Sequence, residues 1–142
     1  GRASDVGSMH AALAKFRNDT DTVFKTPAVI LSGGETTVEI QGKPGRGGRN
    51  TEFLLSFAIS VENELNITAL AADTDGIDGS ENNAGAFCDG FTASKMRQQG
   101  FDPRLHLAKH DAWTAFEAVG ELFSPGPTGT NVNDFRAVLV QP

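Results

Sequence analysis

The 142-residue sequence has few of the features that mark a secreted or membrane protein. It contains one cysteine, Cys88, so no internal disulfide can form, and a reducing cytoplasm is the expected location. Its longest apolar stretches, such as 53–59, are much shorter than the roughly 20 residues that cross a bilayer. No charged start followed by an apolar segment is present, so we identify no signal peptide.

The sequence also lacks the positive charge that binding to nucleic acids or acidic membranes requires. Eighteen acidic residues oppose twelve basic ones, and the net charge is −6, whereas binding to phosphate backbones depends on a basic field that releases counterions. We therefore expect neither a nucleic acid nor a membrane as a partner. Against this acidic background one basic cluster stands out, formed by Lys43, Arg46 and Arg49 with no acidic residue between them.

Several common ligand-binding motifs are missing. The glycine-rich stretch 45–50 is not a Walker A loop, because no Gly-Lys-Ser/Thr follows, nor a dinucleotide fingerprint, because its sixth residue is Asn50. The acidic turn 73–79 does not have the residue pattern of an EF-hand. His106 and His110 lie four residues apart without a third metal ligand, so we interpret them as satisfied or solvated histidines.

The apolar residues that are present follow the periodicities of an α/β domain. They make up 39% of the chain, which is enough to bury a core. Apolar spacings of three and four predict a helix over 4–17. We interpret residues 1–26 as a connecting helix and linker from a missing amino-terminal domain, and residues 27–142 as a carboxy-terminal domain.

Within 27–142, strands and helices are expected to alternate. Two runs rich in β-branched residues, 28–31 and 35–40, flank a pair of glycines and predict a hairpin. Asn50 is expected to cap a buried helix over 50–64, which a strand over 65–72 follows. The remaining expected elements are three short helices and a closing strand: 91–99, 103–110, 111–119 and 135–140. This order indicates a single layered α/β/α domain with a mixed sheet.

Three long loops, 42–49, 73–85 and 125–134, concentrate the glycines and polar residues. In the first loop, Gly47 and Gly48 allow backbone N–H groups to approach an anion, and Arg49 supplies a planar fork of donors beside a helix N-terminus. This loop is therefore either a phosphate or carboxylate site or a flexible surface loop whose arginines pair with acidic residues elsewhere.

The other two loops also have two interpretations each. Asp73, Asp75 and Asp78 follow a strand, where ligands of open α/β sheets gather. Their carboxylates either hold Mg²⁺, orient a hydroxyl or act as a base, or they accept hydrogen bonds within a tight turn. Loop 125–134 carries hydroxyls and amides that suit phosphate or hydroxyl oxygens, but an ordinary turn has the same composition.

Taken in order, the loop motifs resemble a known family. They are SGGETT at 32–37, GGRN at 47–50, TDGIDG at 74–79, NAGA at 83–86 and GPTGTNVND at 126–134. This ordered set closely resembles the MOFRL domain, the carboxy-terminal domain of type II (glycerate 2-) kinases, which are often labelled hydroxypyruvate reductases. The resemblance covers about residues 27–142.

The resemblance implies phosphorylation of D-glycerate to 2-phosphoglycerate, with ATP and Mg²⁺, in a cleft between two α/β domains. It implies that the amino-terminal domain, the expected partner, supplies a catalytic lysine. Arg49 matches an arginine proposed to face the reacting groups, and Asp75 is assigned with it as catalytic. The remaining residues that match the loop motifs are assigned to substrate binding: Gly47, Gly48, Asn50, Asp78, Thr128, Thr130, Asn131 and Asn133. The metal ligands are not assigned.

The sequence departs from the family motifs at two positions, and two alternative functions are open. Thr51 and His110 stand where the resemblance leads us to expect Gln and Asn. A reductase should carry a nicotinamide fingerprint, and this sequence shows none. A noncatalytic module should bind a phosphate-bearing ligand without turning it over.

Overall fold

The computed structural model describes residues 1–16 and 24–142, which form five helices and five strands. The elements are α1 (Ala3–Lys15), β1 (Ala28–Gly34), α2 (Arg49–Ser60), β2 (Ile67–Asp73), β3 (Gly85–Asp89), α3 (Thr92–Gln98), α4 (Pro103–Ala108), α5 (Ala112–Ala118), β4 (Leu122–Phe123) and β5 (Asp134–Val140). The expected end of the first helix, Arg17, lies outside the described residues. No helix in the described parts of the chain is long and apolar enough to cross a membrane.

The five strands form one sheet in the order β1-β5-β2-β3-β4. The α/β class is confirmed, but the expectation of a mixed sheet is wrong, because every pair of neighbouring strands in the described residues is antiparallel. β1 and β2 do run in the same direction, as a helical crossover through α2 requires. The final strand, β5, lies between them and makes both contacts antiparallel.

The strand predictions from local sequence patterns are wrong at two places: one predicted strand is absent, and one strand was not predicted. The expected hairpin partner of β1 at 35–40 is not a strand, and its one bridge joins Thr37 to Arg2. β1 pairs along its whole length with β5, about a hundred residues away. β3 was not predicted, because it is short and begins at Gly85 within the expected loop. A Cβ atom at Gly85 would lie 1.8 Å from the carbonyl oxygen of Ala71, so only glycine allows this close pairing.

Helix α2 forms the centre of the core, as its nearly continuous apolar surface predicts. Phe53, Leu54, Leu55 and Phe57 are completely buried, and the helix contacts α1 on one side and β2 and β3 on the other. It begins at Arg49 with Gly48 as its N-cap and ends at Ser60. Asn50 is therefore not the cap, because its side chain is already inside the first turn and bonds to distant carboxylates.

The two faces of the sheet differ, and the predicted α/β/α layering is only half present. On one face, Ile67, Ala71 and Val138 are buried beneath α2, which α1, α3, α4 and α5 all contact. On the other face, Leu31 and Leu139 remain 64% and 37% exposed. The described residues thus form two layers, because no helix among them packs on this second face.

This asymmetry predicts different costs for truncating apolar side chains in the 142-residue chain. Phe53→Ala should reduce the free energy of unfolding by about 3–5 kcal/mol, because it leaves a cavity in a closely packed core. The matched change on the other face, Leu31→Ala, should cost less than about 1 kcal/mol. Urea unfolding of both variants checks this, and equal costs would contradict the two-layer arrangement.

Candidate functional site

A cavity of about 600 Å³ opens beside the N-terminus of α2 and the end of β2. Its lining comes from the segment after β1, from the first two glycine-rich loops, from α2 and from the α4–α5 connection. The polar and glycine residues of the lining include Gly47, Gly48, Arg49, Glu52, Asp73, Asp75 and His110. Two of the three loops that sequence reasoning selected therefore meet in one place. The third, 125–134, packs behind the acidic turn and does not line the cavity.

Arg49 projects from the first turn of α2 into a group of carboxylates. Its Nη1 donates to Glu35 Oε1 at 2.9 Å, and its Nη2 donates to Asp73 Oδ2 at 2.9 Å and to Asp134 Oδ1 at 3.1 Å. Asp73 and Asp134 are buried, whereas the Glu35 side chain is 59% exposed. Burial acts to lower the pKa of Arg49, but these carboxylates outweigh that effect and raise it, so the guanidinium is charged.

Asp134, at the start of β5, holds this group together. Its Oδ1 also accepts from Asn50 Nδ2 at 2.9 Å, and its Oδ2 accepts from Arg136 Nη2 at 3.0 Å. Arg136 in turn donates to the carbonyl of Gly33 at 3.1 Å. Burial lowers the pKa of Arg136 and raises the pKa of Asp73. One buried carboxylate thus connects the ends of β1 and β5 with the beginning of α2.

A second buried carboxylate, Asp78, occupies the N-terminus of α2. Its Oδ1 accepts from the backbone N–H of Asn50 at 2.9 Å, and its Oδ2 accepts from the N–H and the hydroxyl of Thr51 at 2.8 and 2.9 Å. Burial raises the pKa of Asp78, and these donated bonds oppose the rise. A Cβ atom at Gly48 would lie 2.5 Å from Asp78, so glycine is required where the two loops touch.

Two of the predicted site residues lie behind the cavity wall. Asn50 and Asp78 are 1% and 2% exposed and do not belong to the cavity lining, and their assignment to substrate binding stays a prediction. Asp78 already accepts from the N–H groups of Asn50 and Thr51. These two donors of the first turn of α2, the turn that carries Arg49, are therefore satisfied from within the protein.

The acidic turn is both a tight turn and a part of the cavity wall. Asp75 Oδ1 accepts from the N–H of Ile77 at 2.8 Å, and the N–H of Asp75 donates to Asp73 Oδ1 at 3.1 Å. The tight-turn interpretation is therefore confirmed for this segment, and the functional interpretation stays a prediction. Asp75 keeps its predicted place at the cavity, and Asp78 does not.

Loop 125–134 supports the acidic turn through hydrogen bonds. The N–H of Thr74 donates to the carbonyl of Asn133 at 3.0 Å, and the hydroxyl of Thr128 donates to the carbonyl of Thr74. Asn131 accepts from the N–H of Asn133 at 3.1 Å through its side chain. Thr128, Thr130, Asn131 and Asn133 are solvent-exposed and outside the cavity lining. Their assignment to substrate binding stays a prediction.

Sequence reasoning missed an ionisable pair in the cavity wall. His110 Nδ1 lies 2.9 Å from Oε2 of Glu52, which is buried in the first turn of α2. Burial raises the pKa of Glu52, and His110 opposes the rise. His110 has a φ of 53°, in the left-handed region where Asn, Asp and His are enriched among non-glycine residues. The departure from the expected Asn at this position is the one signal for the pair that the sequence offered.

The other reactive side chains have structural roles. His106 Nδ1 lies 3.0 Å from Asp111 Oδ2, which agrees with a satisfied histidine. Cys88 is buried in the core, and burial raises the pKa of its thiol. Among residues 1–16 and 24–142, no group of three or more His, Cys, Asp or Glu side chains has an arrangement that could hold a metal ion.

Comparison with known proteins identifies relatives over nearly the whole chain. The MOFRL family model matches residues 28–134. A protein of Agrobacterium vitis, provisionally named hydroxypyruvate reductase, is 50% identical over 99% of this chain. The D-glycerate 2-kinase of Thermotoga maritima is 41% identical over 97% of it. A crystal structure of glycerate kinase from Thermotoga maritima superposes with a TM-score of 0.93 and 40% identity over 98% of the chain.

These relatives are much longer than the chain. It covers 32% of the Agrobacterium protein and 33% of the Thermotoga kinase, both in the curated sequence and in the crystal structure. The chain therefore spans about a third of the length of the relatives that it matches.

Because the Asp78 carboxylate accepts hydrogen bonds from the N-terminus of α2, we expect its negative charge to stabilise the fold. Asp78→Asn should reduce the free energy of unfolding by about 2–3 kcal/mol, because an amide NH₂ would face N–H donors. Asp75→Asn, which changes a more exposed carboxylate in the same turn, should cost less than about 1 kcal/mol. Urea unfolding measures both, and amide hydrogen exchange at Asn50 and Thr51 should accelerate only in the Asp78 variant.

Proposed function

This chain belongs to the MOFRL family, and we propose that it forms one wall of the active-site cleft of a glycerate 2-kinase. The proposed reaction is the ATP-dependent phosphorylation of D-glycerate to 2-phosphoglycerate. In the whole protein, the partner of this chain is an amino-terminal kinase domain that forms the opposite wall. The observation that carries the proposal is the meeting of Arg49, Asp75 and the Gly47-Gly48 backbone at one cavity.

The hydrogen bonds of Arg49 support a role in holding charge. Its Nη2 is fixed by the buried carboxylates Asp73 and Asp134, so the direction of the guanidinium is set before a substrate arrives. Its Nη1 is bonded to the exposed Glu35. A carboxylate of glycerate, or an oxygen of the transferring phosphoryl group, can take the place of Glu35 without breaking the buried pairs.

The surrounding carboxylates offset the positive charge that Arg49 can offer to a phosphoryl group. Glu35, Asp73 and Asp134 neutralise its charge together with that of Arg136. A second positive group is therefore needed for a phosphoryl group to enter, which agrees with a lysine contributed by the other wall. Asp75 faces the same cavity and is proposed to orient the reacting hydroxyl.

Mg²⁺ is proposed to accompany ATP, but the described residues do not form a site for it. They contain no cluster of three potential acidic, histidine or cysteine ligands, and Asp73 and Asp134 are already bonded to Arg49. The described residues on their own therefore supply no complete set of protein ligands for the ion. We assign it no role at these residues.

The two alternative functions make different binding predictions. The Agrobacterium relative carries a reductase name, so NADH binding by the full-length protein would favour that function. A noncatalytic module would bind ATP or glycerate without turnover. Calorimetric titration of the full-length protein with ATP, glycerate and NADH separates the three.

The 142-residue chain alone should be folded but inactive as a kinase. Phosphoryl transfer requires donor and acceptor to be positioned together, and this chain supplies one wall of the cleft. The measurement is glycerate phosphorylation by the purified chain, with circular dichroism as the control for folding. Turnover above the rate without protein would contradict the shared cleft.

Arg49 should be required for activity in the full-length protein. Arg49→Ala should lower kcat/KM by about 10³-fold or more if the arginine stabilises the transferring phosphoryl group. An effect on KM alone would indicate substrate binding only. Arg49→Lys should recover only part of the activity, because a point charge does not reproduce bidentate geometry.

Folding must be measured beside these rates. Arg49→Ala leaves the buried Asp73 and Asp134 without one partner and should destabilise the protein. Arg49→Lys retains the charge and separates the two effects. Arg46→Ala is the matched control, because Arg46 bonds to Glu81 and stacks on Trp113 outside the cavity. Unchanged kinetics in both Arg49 variants would exclude this loop from the active site.

A further inference from the structure

The exposed side of the sheet is a continuous apolar surface. Strand register places Val29 opposite Leu139, Leu31 opposite Ala137, and Ala137 in turn opposite Leu70. Leu70 is opposite Phe87, whose ring contacts Phe123 with the centroids 5.2 Å apart. We call this surface the open sheet face; its members are Val29, Leu31, Leu70, Phe87, Phe123, Phe135, Ala137 and Leu139.

The open sheet face does not have the composition of a surface that meets water. An antiparallel sheet with one solvated face alternates apolar and polar residues, yet β5 presents Phe135, Ala137 and Leu139 outward while Val138 and Val140 face the core. The nearest polar residues, Thr68 and Asp89, form a pair at the end of the face. Both faces of these strands are therefore apolar, which is typical of a sheet covered on two sides.

The exposed apolar area of the open sheet face also favours a partner. Val29 and Leu31 are 59% and 64% exposed, and Phe87, Phe135 and Leu139 are between 37% and 42% exposed. Together they expose on the order of 400 Å² of apolar surface, within the roughly 300–600 Å² of the largest patch on a typical monomer, which is often functional. A patch of this size is large enough to serve as a docking surface.

We propose that residues of the full-length protein outside this chain cover the open sheet face and complete an α/β/α arrangement. The occupant is an uncharged, apolar face of that same polypeptide, such as an amphipathic helix. The chain spans about a third of its relatives' length, and the sheet is retained in a relative that superposes with a TM-score of 0.93. Two further thirds of polypeptide are thus available to cover it.

The polypeptide's own residues are a better occupant than a second copy. A tethered segment is present at high effective concentration and loses less translational freedom on docking. The open sheet face also offers no charged pair that would orient two identical copies. It shares no residue with the cavity lining, so this contact is separate from the cleft.

The inference rests on the proposed function only for the existence of a longer protein, and its test uses no catalysis. Leu31→Glu and Leu139→Glu are made in the full-length protein and in the 142-residue chain. Leu65→Glu is the matched control, because Leu65 is 69% exposed and lies before β2, off the open sheet face. Thermal unfolding, binding of a hydrophobic dye and light scattering are measured for each.

The open-face variants should lower the unfolding midpoint of the full-length protein by about 5 °C or more, with the oligomeric state unchanged. The same changes in the 142-residue chain, and Leu65→Glu in either, should shift it by less than about 2 °C. The wild-type chain should bind the dye and the full-length protein should not. If Leu31→Glu prevents folding of the full-length protein only, Leu31→Ser should give a smaller loss, again in the full-length protein only.

Two results would overturn the proposal. Equal tolerance of Leu31→Glu and Leu65→Glu in the full-length protein would show that the face is uncovered. Dissociation of a full-length dimer by Leu31→Glu, with the subunit otherwise stable, would show that a second copy is the occupant. Glycerate phosphorylation by the wild-type protein tests the proposed function independently, and its absence would leave the result on the open sheet face unchanged.

Discussion

The structure depends on the buried carboxylate of Asp134. An uncompensated charge in this position would be strongly unfavourable, so the carboxylate has to be surrounded by donors. Arg49, Asn50 and Arg136 supply them from α2 and β5, and Arg136 extends the contact to the end of β1. Because all of these groups must be satisfied together, the three elements have one relative position. The cavity is formed where they meet.

Asp78 is the second buried carboxylate that fixes the position of α2. It occupies the helix N-terminus and holds the acidic turn against Gly48. Together, Asp78 and Asp134 accept hydrogen bonds from Arg49, Asn50 and Thr51 in the first turn of α2. The cavity is left with one oriented arginine whose exposed partner, Glu35, can be displaced. The buried carboxylates thus fix the direction of the Arg49 guanidinium toward the cavity, where an anion is proposed to bind.

Helix α2 contributes both to the hydrophobic core and to the wall of the cavity. Its apolar side chains are the centre of the core, and its first turn carries Arg49 and Glu52 to the cavity wall. The sheet beneath it is apolar on both faces, although only one is covered by described residues. Two separate surfaces of this domain are therefore proposed to contact the rest of a longer protein: the polar cavity and the apolar sheet face.

The sequence by itself determined the α/β class, the burial of α2, the three loops and the family, because these follow from local periodicity and from motifs in a specific order. It also predicted that Arg49 and Asp75 lie close together, and both line the cavity. The tertiary structure alone decided that β5 lies between β1 and β2, that residues 35–40 do not form a strand, and that Glu52 pairs with His110. It also buried Asn50 and Asp78 behind the cavity wall. Strand order and the partners of buried charges depend on contacts between residues far apart in the chain, which local patterns do not encode.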